Sequence, residues 1–230
     1  MEHKAIEDVV LTARQRLDAV DAAVARGLAD ARRAADAVTC IAISKTHDAA
    51  QIAPLLAAGQ RHFGESRVAE AAAKWPALRG AYPDVTLHMV GQLQSNKAAV
   101  AVALFDVIHS LDRPSLLDAL ARAMDASGRR IPCFIQLNLE EAAQKGGCAP
   151  ADIGELLAAA RAANVPVIGL MCVAPLGLEP APWFALTAKL ADDHGLTGLS
   201  MGMSGDFPTA VRVGATHIRV GSALFGDRAP

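Results

Sequence analysis

The feature that most constrains the fold is a regular alternation of short apolar runs with longer alanine-rich stretches, from residue 38 to the end of the chain. Short apolar runs predict buried parallel strands, and the stretches between them have the periodicity of amphipathic helices. We predict eight strands, at residues 38–44, 61–63, 86–90, 106–109, 132–138, 166–173, 197–200 and 216–220. The predicted helices span residues 3–26, 48–58, 65–75, 95–104, 113–126, 150–163, 181–194 and 206–213, with a short final helix at 222–225.

Eight βα units after one N-terminal helix are typical of the α/β class and predict a (β/α)₈ TIM barrel with an extra N-terminal helix. The alternative is an open doubly wound sheet, whose strands are equally apolar. That fold can place a Gly-rich dinucleotide-binding turn after its first strand, where this chain has SKTHDA. A chain of 230 residues with 52% hydrophobic residues and no low-complexity linker predicts one domain over residues 1–230.

Charge and cysteine usage exclude several classes of protein. The net charge is −2 without a Lys/Arg run, so a nucleic-acid or anionic-membrane partner has no electrostatic support. The N-terminal segment lacks the continuous apolar stretch of a signal peptide, and no window is apolar and long enough to span a membrane. The four cysteines form no CxxC pair and lie mostly inside apolar runs. We therefore expect a cytoplasmic protein without a metal site.

An isolated lysine ends the first predicted strand, in the stretch AVTCIAISKTHD. Strand alternation puts Ile43 and Lys45 on one face and Ala42 and Ser44 on the other. Bulky branched side chains favour a barrel interior, so Lys45 is predicted in the top interior layer, at the mouth where barrel enzymes place their chemistry. The alternative is an ordinary strand-end lysine whose ammonium reaches water.

The last strand, in THIRVGSALFG, has an arginine with the same orientation. Alternation puts Arg219 inside the barrel, and strands 1 and 8 become neighbours when a barrel closes. Arg219 and Lys45 would then place two cations at one mouth. Burial of two cations without an anion is costly, so this pair predicts an anionic ligand.

The loops after strands 7 and 8 form the common phosphate site of this fold, and here they are LSMGMSGD and VGSALFG. Gly221 allows close approach of the backbone to a ligand, and Ser222 opens a short helix whose N-terminus favours negative charge. Ser200 could donate a hydrogen bond from the other loop. The alternative is that these residues only form turns and caps, with Ser204 capping the helix at 206–213.

A lysine that faces a phosphate site is the arrangement expected for a Schiff base with a phosphorylated aldehyde or ketone. If that ligand is pyridoxal phosphate, Arg219 lies beside its ring nitrogen. A guanidinium keeps its proton, so it would hold that nitrogen unprotonated and weaken the ring as an electron sink. The alternative is an aldolase that acts on a sugar phosphate. Lys45 alone could form its Schiff base, but Arg219 would have no role because the substrate has no pyridine ring.

Several stretches together resemble one known family: AISKT at 42–46, FGES at 63–66, LHMVGQLQSNK at 87–97, IHSLDR at 108–113, QLNLEEAAQKGG at 136–147, GLMCVAP at 169–175, LSMGMSGD at 199–206 and IRVGSALFG at 218–226. The family is that of the pyridoxal phosphate homeostasis proteins, which are similar to the N-terminal barrel of alanine racemase without its second domain. The resemblance implies a single barrel with pyridoxal 5′-phosphate on the lysine of its SKT motif.

Carried over to this chain, the resemblance implies seven cofactor-binding residues: Lys45, Ser66, Ser200, Met201, Arg219, Gly221 and Ser222. The resemblance places Arg219 beside the pyridine nitrogen and places the phosphate at Ser200 and the Gly221–Ser222 turn. The family often has FGEN where this chain has FGES, so Ser66 or water would replace an asparagine contact. The loop KTHD also departs from the family, and His47 is expected to be solvated.

The sequence favours a carrier over an enzyme. Racemisation needs two bases, and alanine racemase takes its second from a tyrosine on another domain and subunit. Tyr82, the only tyrosine, precedes strand 3 and is therefore predicted at the opposite end of the barrel, and we expect no second domain. We expect a monomer that buffers and delivers pyridoxal phosphate, with apo forms of enzymes using this cofactor as partners. The alternative is a weak amino-acid racemase using Lys45 and His109.

Other polar residues are less informative. Residues 94–97 of QLQSNK could contact a ligand or could form a helix cap with a solvated first turn. His88 and His217 lie within predicted strands and are expected to be hydrogen-bonded core residues. Lys145 matches the family but is left outside the predicted site.

Overall fold

The computed structural model describes residues 2–140 and 146–226, and its described strands form a closed barrel in the order β1 to β8. They are β1 Thr39–Ile43, β2 His62–Glu65, β3 Thr86–Met89, β4 Val107–Leu111, β5 Cys133–Gln136, β6 Val167–Met171, β7 Gly198–Ser200 and β8 His217–Val220. All neighbouring pairs are parallel, and β1 closes the barrel against β8 with Ile41 opposite Arg219. The predicted barrel is confirmed, and the open sheet is excluded.

Helices surround the barrel near the predicted positions, although α1 and α3 end later than the sequence predicts. They are α1 Glu2–Asp30, α2 Ala49–Ala57, α3 Val68–Ala81, α4 Ala98–Leu104, α5 Pro114–Ser127, α6 Ile153–Ala162, α7 Ala181–Asp193, α8 Phe207–Val213 and α9 Ser222–Phe225. Short 3₁₀ turns, Ser95–Lys97 and Pro150–Asp152, precede α4 and α6. Among these described helices, none combines the length and apolar character needed to cross a membrane.

The alternation predicted for β1 is confirmed. Ala42 packs in the large apolar cluster between sheet and helices, together with Phe63 of the neighbouring strand. The opposite face is the barrel interior, where a β-carbon added at Gly64 would lie 2.6 Å from Ile43 Cδ1 and 3.0 Å from Ile41 Cγ2. Gly64 therefore leaves room for the two isoleucines of β1 on the inner face.

Helix α1 runs four residues beyond its predicted end at residue 26, to Asp30. Its continuation includes Gly27, where a β-carbon would lie only 2.8 Å from Val211 Cγ1 of α8. The missing side chain lets α1 approach α8 closely, and this contact outweighs the low helix propensity of glycine.

Helix α3 continues through Pro76 to Ala81, although the sequence predicted its end at residue 75. Beyond the proline, Leu78 is buried and Arg79 donates a 3.0 Å hydrogen bond to Leu104 O. Arg79 also pairs with Asp106. These long-range contacts hold the last turn of α3 in place despite the hydrogen bond that proline cannot make.

Candidate functional site

Lys45 lies in a tight turn just beyond β1, at the C-terminal mouth of the barrel. The turn contains Thr46 at φ 67°, a conformation that is uncommon for a β-branched residue. Asp48 ends the turn by capping α2, with a 2.9 Å hydrogen bond from Gln51 N. Lys45 is partly buried, and its ammonium has no hydrogen bond or ion pair to any other residue that the structure describes. A partly buried, unpaired amine at a barrel mouth is suited to react with a carbonyl compound.

The turn that contains Lys45 also packs against α9. The ring of His47 stacks on Phe225 with centroids 4.2 Å apart and an interplanar angle of 11°. His47 is half-buried, so its ring is only partly solvated. This stacking brings the loops after β1 and β8 into direct contact, as the neighbouring positions of the two strands require.

Arg219 lies deeper in the barrel, and only 5% of it is exposed. Its guanidinium donates to Ser200 Oγ at 2.8 Å and to the Cys172 carbonyl at 2.7 Å. Both partners are neutral, and no carboxylate among the described residues is within ion-pair distance of Arg219. Burial lowers the pKa of Arg219, because charge is costly in the interior. The guanidinium thus retains donors and positive charge that an anionic or electron-rich ligand could satisfy.

Two backbone amides converge beside the mouth, after β8. Gly221 N donates to Ser204 Oγ at 3.0 Å, and Ala223 N approaches the same oxygen at 3.5 Å. One oxygen between two converging amides has the arrangement that binds a phosphate oxygen. Ser222 lies between the amides and is exposed, so its hydroxyl is accessible to a ligand.

The alternative assignment of Ser204 as the cap of α8 is wrong. Asp206 takes the N-cap position of α8, while Ser204 accepts hydrogen bonds at the start of α9. Sequence reasoning missed Ser204 as a site residue because its partners lie 17 and 19 positions away. The only signal for this contact is that β7 and β8 are neighbouring strands, so that the loops after them lie side by side.

A chain of three imidazoles extends from Ser200 through the barrel interior. His109 Nδ1 lies 2.8 Å from Ser200 Oγ, and its Nε2 lies 3.0 Å from His88 Nδ1. His88 Nε2 in turn lies 3.1 Å from His62 Nδ1. Burial lowers the pKa of all three histidines, and the neighbouring histidines add to the effect for His88 and His109. The chain is therefore neutral near neutral pH.

His88 is a buried, hydrogen-bonded core histidine, as predicted, whereas His217 is hydrogen-bonded but only partly buried. His217 Nδ1 lies 2.9 Å from Thr216 Oγ1, and burial lowers the pKa of His217 to about 4. The expectation that His109 ends a strand at the mouth is wrong. His109 lies in the middle of β4, is completely buried, and uses both ring nitrogens in the imidazole chain.

The seven residues of the predicted cofactor site do not all face the mouth. Lys45, Arg219, Gly221 and Ser222 lie on the neighbouring strands β1 and β8 or just after them, and Ser66 follows β2. Ser200 already contacts Arg219 and His109 below the mouth. The Met201 side chain packs in the outer apolar cluster, and its N–H donates to His217 O at 3.0 Å. This arrangement offers a ligand neither the side chain nor the N–H of Met201.

The QLQSNK segment forms a 3₁₀ turn before α4. Gln94 takes its N-cap position without a side-chain capping bond, and Arg113 donates weakly to Ser95 Oγ at 3.4 Å. Lys97 is exposed. Gln94 and Lys97 line a surface cavity together with Ser66. Lys145 falls outside the described residues.

Comparisons with known proteins show which family the chain belongs to. The family model for the N-terminal domain of alanine racemase matches residues 21–229. A pyridoxal phosphate homeostasis protein of Synechocystis is 38% identical over 201 residues, which cover 83% of this chain and 92% of the relative. The chain belongs to the pyridoxal phosphate homeostasis protein family. A second relative, the pyridoxal phosphate homeostasis protein of Deinococcus radiodurans, is 39% identical over 210 residues, which cover 90% of this chain and 98% of the relative.

Solved structures extend the comparison from sequence to fold. PipY of Synechococcus elongatus, solved with pyridoxal phosphate bound, is 45% identical, with a TM-score of 0.76 over 88% of this chain and 100% of its own. Alanine racemase of Streptomyces lavendulae is 23% identical, with a TM-score of 0.67 over 93% of this chain and 58% of its own. The likeness to alanine racemase shows that the two proteins share the barrel fold.

Proposed function

We propose that this protein binds pyridoxal 5′-phosphate as a Schiff base on Lys45 and acts in intracellular homeostasis of that cofactor. The observation that carries the proposal is the buried Arg219, whose side-chain partners among the described residues are all neutral. It lies beneath the same mouth as Lys45, whose ammonium is unpaired within the described part of the chain. A cofactor with a phosphate, an aldehyde and a basic ring nitrogen matches the groups at this mouth. The cofactor-bound structure of PipY, at 45% identity, gives further support.

Each group at the mouth has a role in holding the cofactor. The amides of Gly221 and Ala223, now shared by Ser204 Oγ, would hold the phosphate together with the accessible Ser222 hydroxyl. The remaining Arg219 donors would face the ring nitrogen, and Ser66 would lie at the adjacent strand end. Bound pyridoxal phosphate supplies an aldehyde that condenses with amines and a ring that withdraws electrons.

Ser200 takes a different role in this proposal from the phosphate contact that the sequence implied. Its hydroxyl accepts from Arg219 and contacts His109 Nδ1, so it orients the guanidinium from below. The histidine chain then continues this support into the barrel interior. Arg219 keeps its proton, so the ring nitrogen beside it stays unprotonated and the ring is a weak electron sink.

A carrier explains the site better than a racemase does. A racemase requires groups that move a proton on both faces of the substrate, close to the reacting carbon. Tyr82, the single tyrosine, caps the C-terminal end of α3, on the N-terminal side of the barrel. The centroid of its ring lies 5.4 Å from Arg61 Cζ. His109 is buried beneath Ser200 with both nitrogens in use. Neither residue is placed to exchange a proton with a ligand at the mouth.

The proposal extends to the partners and location of the protein. All four cysteines are free, which suits a reducing compartment such as the cytoplasm. The acidic net charge gives no support for nucleic-acid binding. We assign residues 1–230 to one cofactor-holding domain that acts as a monomer and delivers the cofactor to apo forms of enzymes that use it. Sedimentation analysis tests the monomer, with a concentration-dependent increase in mass as the contrary result.

Transfer of the bound cofactor tests the proposed function directly. The protein is loaded with pyridoxal phosphate, freed of excess ligand, and mixed with an apo-enzyme whose recovered activity reports delivery. Solvent deuterium exchange at the α-carbon of an amino acid is followed in parallel by NMR. We expect delivery with slow exchange. Exchange at enzyme-like rates of roughly 1 per second or more would instead support the racemase, and a loaded protein that never activates the apo-enzyme would contradict delivery.

A further inference from the structure

The turn that contains Lys45 is held from outside the barrel by one lysine of α3. Lys74 Nζ donates to the carbonyl oxygens of Ser44 and His47, both at 2.8 Å. These two carbonyls belong to the residues on either side of Lys45 and Thr46. The Lys74 ammonium therefore closes the turn by binding both of its ends.

Two carboxylates fix the Lys74 ammonium. Glu65 Oε1 and Glu70 Oε1 each lie 2.9 Å from Lys74 Nζ. The Glu65 side chain is completely buried, and the Lys74 side chain is only 10% exposed. Glu65 Oε1 also accepts hydrogen bonds from Ser44 Oγ at 2.6 Å and Trp75 Nε1 at 2.9 Å. We call Lys74, Glu65 and Glu70 the Lys74 cluster.

The Lys74 cluster also supports the unusual backbone of the turn. Glu70 Oε1 accepts a 2.6 Å hydrogen bond from the N–H of Thr46, the residue at φ 67°. A β-branched residue takes a left-handed conformation only where its surroundings enforce it. Without the carboxylate and the ammonium, the turn would lose the contacts that oppose its relaxation.

We propose that Lys74 is a positioning residue for Lys45: it fixes the turn so that the Lys45 amine points at the carbonyl group of a ligand in the mouth. The inference rests on the proposed function of Lys45. The Lys74 side chain extends from α3 and pairs with Glu65 and Glu70 outside the barrel, so it acts on the ligand only through the turn. His47 secures the same turn from the other side by stacking on Phe225.

The test compares two ligands that differ only in the group that Lys45 attacks. Pyridoxal phosphate carries an aldehyde, while 4′-deoxypyridoxine 5′-phosphate has the same ring and phosphate without it. In Lys74→Met we expect affinity for pyridoxal phosphate to fall about tenfold or more, because a displaced amine reacts poorly. Affinity for the deoxy compound should stay within about twofold, because the phosphate and ring contacts remain.

A second measurement reports how stable the turn is in the absence of any ligand. Amide hydrogen exchange in the cofactor-free protein should become faster at Thr46 and His47 in Lys74→Met, and Lys74→Arg should partly restore protection because it keeps a cation. Lys189→Met is the matched control, since Lys189 is an exposed lysine that pairs with Asp193 on α7. It should change neither exchange at the turn nor the two affinities.

If Lys74→Met does not fold, Glu70→Ala provides the same comparison, because this side chain is 26% exposed and bonds both Thr46 N and Lys74. An equal loss of both ligands, or no loss of either, would overturn the positioning role. A wild-type protein that binds the two ligands equally and takes no borohydride-stable label would refute the proposed function instead. A wild-type preference for the aldehyde that survives both substitutions would refute only the role of Lys74.

Discussion

Acid should destabilise the cofactor-free protein through the histidines inside the barrel. Burial, with smaller contributions from His62 and Arg219, lowers the pKa of His217 to about 4 from its ordinary 6.5. The unfolded chain therefore binds the proton more readily than the folded one. The stabilisation is complete above about pH 6.5 and disappears as the pH falls through about 4. This difference corresponds to roughly 3 kcal/mol for His217 alone, and the lowered pKa values of His88 and His109 act in the same direction.

The assay is urea unfolding of the cofactor-free protein at intervals from about pH 7.5 to about pH 4, for the parent and for His217→Gln. Carboxylates also titrate in this range, so the difference between the two proteins isolates the contribution of His217. The free energy of unfolding of the parent should fall by roughly 3 kcal/mol more than that of His217→Gln over this range. Parallel pH profiles for the two proteins would contradict this prediction, because they would mean that His217 has the same pKa in the folded and unfolded states.

Two further predictions concern the amides after β8 and the packing of α1. Ser204→Asp places a carboxylate against the amides of Gly221 and Ala223, so an absorbance titration should show at least about tenfold weaker binding of pyridoxal phosphate; unchanged affinity would locate the phosphate elsewhere. Gly27→Ala should lower the melting temperature through its contact with Val211, whereas Gly80→Ala, with open space around it on α3, should raise stability by up to about 1 kcal/mol. Equal effects of the two substitutions would contradict the close approach of α1 to α8.

The fold could be predicted because its signal is local and repeated. Each strand is a short apolar run, and the alternation within β1 and β8 orients Ile43 and Arg219 without knowledge of distant residues. The ends of α1 and α3 were harder to predict. Gly27 and Pro76 are helix-breaking types in isolation, and only the contacts with Val211 and Asp106 explain why the helices continue.

The site was predicted in part, for a physical reason. The positions of Lys45 and Arg219 follow from strand alternation, but the partners of each polar atom depend on loops that meet only in the folded chain. Ser204 reaches amides in another loop, and Lys74 reaches carbonyls that lie 27 and 30 residues earlier. The depth of His109 depends on where β4 begins and ends, which periodicity does not define closely.

We expect the cofactor to bind covalently to Lys45, and peptide mapping tests this assignment most directly. The protein is incubated with pyridoxal phosphate, reduced with borohydride, digested and analysed by mass spectrometry. We expect the pyridoxyl group on Lys45, because it is partly buried at the mouth and its ammonium has no partner among the described residues. A label confined to Lys97 or Lys145, or one that persists in Lys45→Ala at the parent's level, would contradict the assignment.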